Sequence, residues 1–229
     1  QNTRLMLRIM KSAHDLNALI LQHAEDLELS NNGMINDGII ATKLGLQGIS
    51  DLAEIVIIER DLTLLESFDC RYHISQISSK KSIEIIRERK KKIKFSCGVS
   101  INNLSLNEND IGDFRTFLKL SPPLRTEEDR MSLVEGLIDE TIDVIVSDHK
   151  PEDEEKKRLT FSQAATGASG VETLLPLSLE LYHNGSVKLE TIIKALTSNP
   201  AKILKINKGN LSTGNNADFC IVDINKPWI

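Results

Sequence analysis

The chain has 229 residues, a formal net charge of −5, 40% apolar residues and 27% charged residues, an ordinary globular composition with enough length for a substantial core. The acidic balance and the 4% aromatic content exclude a general nucleic-acid binder, which needs a basic surface and base-stacking rings. No apolar run reaches the ~20 residues that span a bilayer and no signal-peptide pattern opens the sequence, so no membrane partner and a cytoplasmic setting are expected.

Leu5, Met6 and Ile9 follow a helical period from the outset, so the chain reads as entering mid-domain, with residues expected upstream of Gln1. A helix to about Asp15 leads to a strand at Ala18–Gln22, and after a Gly-rich loop a helix near Asp51–Ser67 leads to a strand at Arg71–Gln76. Ser79–Lys91 reads as a helix with apolar Ile83, Ile85 and Ile86, ending in the basic run Arg87–Lys92 that suits a helix C-terminus. Ile93–Val99 is the next strand, Thr116–Leu120 a further candidate stopped by Pro122 and Pro123, Glu127–Ile138 a helix and Ile142–Ser147 a nearly continuous apolar strand. Helices near Val171–Tyr182 and Leu189–Leu196 precede Asn199-Pro200, a Gly-rich turn region and a strand at Asp218–Asp223. Cys70, Cys97 and Cys220 lie in apolar strand-like segments and read as buried free thiols of a reducing compartment.

Apolar strands separated by helices imply an α/β fold with a parallel sheet buried on both faces. About five βα units can be counted, against eight in a closed barrel. A doubly wound open sheet is the alternative, weakened by the lack of G-x-G-x-x-G after the first strand.

In α/β barrels chemistry gathers at the C-terminal strand ends. There the sequence offers His23-Ala24-Glu25-Asp26, then His73 with Gln76, then Asn102 and Asn103, and finally Asp148-His149-Lys150-Pro151-Glu152. A strand-end Asp such as Asp148 can bind a metal and move a proton, or it can simply cap a loop. His73 alternates with apolar neighbours and reads as interior, and His14 and His183 as surface residues of helices. Glu152–Arg158 reads as a solvated charged loop, and Gly167 with Gly170 as weak evidence for phosphate binding.

The ordered set His23-Ala24-Glu25-Asp26, Gly33 to Gly38, Tyr72-His73-Ile74-Ser75, Ser121-Pro122-Pro123-Leu124-Arg125, Asp129-Arg130, Thr141 to His149, Gly170 to Thr173, Asn199-Pro200-Ala201, and Gly209 with Gly214, Ala217 and Asp218 resembles dihydroorotase of the cyclic amidohydrolase superfamily. The resemblance implies a TIM-like (β/α)8 barrel, present as its C-terminal part (about strands 4–8) over residues 1–205. Residues 206–229 would begin a small accessory β subdomain. It further implies zinc and interconversion of N-carbamoyl-aspartate and dihydroorotate in pyrimidine biosynthesis, with Asp148 as metal ligand and proton shuttle and Asp26 as a second metal-contacting carboxylate. A His-x-His pair is expected upstream of Gln1.

Family positions are replaced in this chain. Gln76 stands for the second histidine of a His-x-x-His segment, Asn102 and Asn103 for a His-His pair, Glu152 for a substrate-contacting histidine and Ser121 for an asparagine. Amide oxygens are poor zinc ligands beside imidazole, so one zinc or none is expected, and Glu152 would repel an anionic substrate. The resemblance therefore implies an impaired or inactive dihydroorotase, with two alternatives: a non-catalytic scaffold partner of aspartate carbamoyltransferase, or a one-metal amidohydrolase acting on another cyclic amide. A homo-oligomer is expected in either case.

Overall fold

The computed structural model describes residues 2–227. Asn2 caps α1 (Thr3–Asp15) by accepting from Leu5 N at 3.1 Å, and Met6, Met10 and Ala13 form its buried stripe at spacings of four and three. Then follow β1 (Leu19–Gln22), α2 (Leu27–Ser30), β2 (Ile35–Asn36), α3 (Ile39–Leu44), β3 (Gly48–Ile49) and α4 (Leu52–Leu65). The next run is β4 (Arg71–Ile77), α5 (Lys80–Lys90), β5 (Ser96–Ser100), α6 (Ile101–Ser105), two 3-10 turns (Glu108–Ile111 and Thr116–Leu118), α7 (Glu127–Ile138) and β6 (Val144–Val146). Four helices close the fold: α8 (Glu154–Lys157), α9 (Leu174–His183), α10 (Leu189–Leu196) and α11 (Ser198–Leu204).

Four strands form one parallel sheet in the order β1-β4-β5-β6, and β2 and β3 form a separate parallel pair. Leu21 pairs with His73, Ile74 with Cys97, and Val99 with Ile145. All strands of the main sheet therefore point one way and bring residues 23, 76–79, 100–103 and 147–149 to one edge. Parallel sheets need helices on their faces, and the contact of Ile57, Ile58, Leu62, Ile83, Ile86, Leu133 and Leu137 with Ile74, Ile77, Cys97 and Val99 forms the main core. A smaller core of Ile35, Ala41, Ile111 and Phe161 joins the β2–β3 unit, the first 3-10 turn and the loop after β6.

Several sequence expectations are corrected. Thr116–Leu118 is a 3-10 turn, not a strand, because β5 pairs directly with β6 and leaves no place between them. Residues 218–223 carry no strand: no neighbouring strand is present among the described residues, and Phe219 and Ile221 are 71% and 94% exposed. The last two positions of the expected 206–229 unit, like Gln1, lie outside the described residues. Cys70 and Cys97 are buried, but Cys220 is exposed for the same want of a strand partner. The charged stretch 152–158 contains α8, and its Lys157 is buried at 3% exposure.

Candidate functional site at the strand ends

Asp148 lies two residues past β6 in left-handed backbone, φ 48°, a conformation uncommon for a residue with a side chain. Gln76, the penultimate residue of β4, donates from Nε2 to Asp148 Oδ1 at 2.8 Å. Burial pushes the Asp148 carboxyl above its ordinary value, opposed by the Gln76 hydrogen bond and by the nearby charges of His23 and Lys150. Asn102 and Asn103 follow β5 in the first turn of α6 and are 7% and 2% exposed. Asn103 Nδ2 donates to Pro123 O at 3.0 Å, while Gln76 Oε1, Asn102 Nδ2 and Asn103 Oδ1 find no partner among the described residues.

His23 follows β1, with Nε2 3.3 Å from Glu25 Oε2 and 3.4 Å from Ser121 Oγ. The Glu25 contact raises the His23 pKa against the opposing effect of burial, and lowers that of Glu25 in return. These groups line a crevice of about 10 Å³ with Glu54 and Arg125, room for about one water. Asp26 points elsewhere: its Oδ1 caps α2, accepting from Glu28 N and Leu29 N at 3.0 and 3.1 Å. Glu152 lies 3.3 Å from Lys156 in an i,i+4 ion pair.

Beneath the crevice is a buried polar network that the sequence reading missed. Glu54, 3% exposed, accepts from Ser78 N and Oγ, Ser79 N and Ser82 Oγ at 2.5 to 3.3 Å. Arg125, 4% exposed, donates to Ser78 Oγ, Asn36 Oδ1 and Ile49 O, and Asn36 in turn donates to Glu108 at 2.7 Å. The network joins α4, the start of α5, the β2–β3 unit and the loop carrying Ser121. A signal for it was available: Glu54, Ile57, Ile58, Asp61, Leu62 and Leu65 share the buried stripe of α4, so an acid sits where the helical period demands an apolar residue.

The loop after β6 returns against its own start. His149 and Ala168 form a parallel bridge, Lys150 N donates to Ala168 O at 2.9 Å, and His149 Nδ1 accepts from Gly170 N and Val171 N. Gly167 and Gly170 serve this approach, not a phosphate cradle: a Cβ would lie 2.4 Å from Lys150 O at the first and 2.1 Å from Ser147 O at the second. Gly170→Ala is expected to cost about 2–3 kcal/mol, measured by urea unfolding.

His73, by contrast, is interior as expected, 6% exposed with Nδ1 2.7 Å from Ser96 Oγ. Burial lowers its pKa from 6.5, so the folded state binds a proton less readily than the unfolded chain. Stability therefore falls as pH drops below about 6.5, by at most about 1.4 kcal/mol per pH unit from this group, until the folded pKa is passed. His73→Leu is expected to remove that slope in unfolding measured from pH 7.5 to 5.

The donor set does not fit the zinc centre that the resemblance implies. No three His, Cys, Asp or Glu side chains come together as a metal site among the described residues. Asp148 has one oxygen on an amide, Asp26 caps a helix, and amides stand at the strand-end positions of β4 and β5.

The Amidohydrolase family model matches residues 1–228. The chain belongs to the amidohydrolase family. Curated relatives of the chain include the dihydroorotase of Ehrlichia canis (strain Jake), 43% identical over 99% of this chain and 51% of the relative. Another is the dihydroorotase of Syntrophus aciditrophicus (strain SB), 41% identical over 100% of this chain and 54% of the relative. The chain thus spans about half the length of the curated relatives it matches. Among solved structures, L-hydantoinase (dihydropyrimidinase) from Arthrobacter aurescens superposes with a TM-score of 0.83 at 24% identity, covering 95% of this chain and 51% of that one. Dihydroorotase from Campylobacter jejuni gives 0.64 at 19% identity, covering 86% and 50%. At these identities the likeness is one of fold: the chain carries a parallel α/β sheet that matches about half of a TIM barrel.

Proposed function

We propose that this amidohydrolase is of dihydroorotase type, and that its strand-end site is impaired or silent in the interconversion of N-carbamoyl-aspartate and dihydroorotate. The dihydroorotases that match along the whole chain support the lineage. The observation that carries the impairment is the Gln76 amide donating to Asp148 Oδ1 at 2.8 Å. In the family reading, Asp148 binds metal and shuttles the proton, and the β4 and β5 strand ends supply imidazoles. Here an N–H occupies one oxygen of that carboxylate, and neutral amides replace the imidazoles, which lowers the affinity for zinc. Zinc, if held, would rest on Asp148 and on groups outside the described residues.

What remains is architecture. The role that follows is a non-catalytic partner of aspartate carbamoyltransferase in a cytoplasmic assembly for pyrimidine biosynthesis, with the barrel self-associating. The stretch after α11, which carries no helix or strand over residues 206–227, is assigned to an accessory unit beside the barrel, with Phe219 and Ile221 offering it exposed apolar surface.

Reverting Gln76, Asn102 and Asn103 together to histidine tests the impairment by metal content. The complete wild-type protein, equilibrated with zinc and desalted, is expected to retain well under one ion per chain, and the triple variant to retain more. Stoichiometric zinc in the wild type, with no gain in the variant, would overturn the reading and favour a one-metal amidohydrolase of another cyclic amide.

A further inference from the structure

The described residues include two buried lysines whose ammonium groups are held by backbone carbonyls of the loop after β6. Lys119, 8% exposed, donates from Nζ to Phe161 O, Ser162 O and Ala164 O at 2.9, 3.0 and 2.9 Å. Lys157, 3% exposed, donates to Ala165 O and Gly167 O at 2.9 and 2.8 Å. Five carbonyls of one seven-residue stretch, 161–167, thus converge on two cations. Each nitrogen also lies near an aromatic ring, Lys119 at 5.8 Å from the centroid of Phe161 and Lys157 at 5.9 Å from that of Phe117. A buried ammonium is costly unless its donors are satisfied, and here carbonyl dipoles and ring faces do that work.

The backbones of the same lysines are tied in as well. Gly167 N donates to Lys119 O at 2.9 Å, and Thr116 Oγ1 donates to Lys157 O. The stretch so fastened continues directly into Ala168, which pairs with His149 and accepts from Lys150 N, and into Gly170, which packs on Ser147 O. Asp148, with its φ of 48°, lies between these contacts. Burial lowers the pKa of both lysines, and their mutual repulsion adds to the effect at Lys157, where Lys150 also lowers it and Glu152 raises it.

We propose that Lys119 and Lys157 are positioning residues, a two-cation latch in which caged ammonium groups hold segment 161–170 against residues 147–150 and so fix the backbone of Asp148. The inference is independent of whether Asp148 turns over a substrate. It predicts a latch that depends on N–H donors at defined points, so a small cation with N–H groups can replace a deleted side chain.

The test is amide hydrogen exchange on the complete protein carrying Lys119→Ala. Exchange at Lys150, Gly167 and Gly170 is expected to rise about tenfold or more, as expected if charged hydrogen bonds of about 1.4 kcal/mol are lost, with the amides of β4 and β5 unchanged. Ammonium chloride is expected to restore protection, and tetramethylammonium chloride at equal ionic strength is not. Unchanged exchange at the three amides, a uniform rise across the fold, or equal recovery with both salts would overturn the proposal. Should Lys119→Ala not fold, acylation of the wild-type lysines decides: Lys119 and Lys157 are expected to react far more slowly than exposed Lys92 and Lys188. Reaction at the Lys92 rate would overturn it equally.

Discussion

Glu54→Leu is expected to destabilise the protein by about 3–5 kcal/mol, with little change in the slope of a urea unfolding curve. The carboxylate is 3% exposed and serves two backbone N–H groups and three serine hydroxyls at the start of α5. Leucine fills the volume but accepts nothing, so Ser78 N and Ser79 N lose their buried acceptor, a cost of about 1–3 kcal/mol per orphaned group. The negative charge at the N-terminus of an eleven-residue helix is lost with it. Glu54→Gln keeps an acceptor and is expected to recover part of the loss. A cost below about 1 kcal/mol for Glu54→Leu would mean that water enters the network and takes over as acceptor.

Arg125→Met is expected to cost about 2–4 kcal/mol by thermal or urea unfolding. The guanidinium bonds Asn36 Oδ1 at 2.9 Å, Ile49 O at 2.6 Å and Ser78 Oγ at 3.1 Å, so it ties the β2–β3 unit to the end of β4. Methionine occupies the channel of the stem and takes a donor from all three, leaving Asn36 Oδ1 unpaired while Ile49 O keeps Asp37 N and Ser78 Oγ keeps Glu54. Because Ser78 Oγ also donates to Glu54, the two substitutions share a partner, and the double variant is expected to lose less than the sum of the single losses. Strict additivity would argue that Glu54 and Arg125 belong to separate local structures.

The same network explains what the sequence could and could not disclose. Regular elements were legible where apolar spacing and caps agree: α7 begins at the Thr126–Asp129 capping box and runs over Glu127–Ile138 as read, and α10 over Leu189–Leu196 as read. The strands β1, β4 and β5 were legible as apolar runs, within a few residues at each end. Thr116–Leu120 was misread because β propensity says nothing about whether a strand has room beside its neighbours. Residues 218–223 were misread for a related reason, since a strand exists only with a partner.

Charge misled in the loop after β6. Glu152–Arg158 has the composition of a solvated face, yet Lys157 is buried by carbonyls supplied from residues eight and ten positions further on. At the strand ends, the resemblance directed attention to Asp148, Gln76, Asn102 and Asn103, and Gln76 and Asp148 do meet. Asp26 was a candidate by position in the motif, and its side chain instead caps α2, the alternative use of an Asp at a strand-to-helix junction.

Under the proposed function the barrel is kept while the strand-end site no longer supports metal-dependent hydrolysis. The most direct measurement is turnover by the complete protein reconstituted with zinc, assayed in both directions with dihydroorotate and N-carbamoyl-aspartate, with bound metal quantified on the same sample. A silent site gives no turnover above the blank, zinc well below one ion per chain, and no difference between wild type and Asp148→Asn. Zinc-dependent turnover that Asp148→Asn abolishes would contradict it.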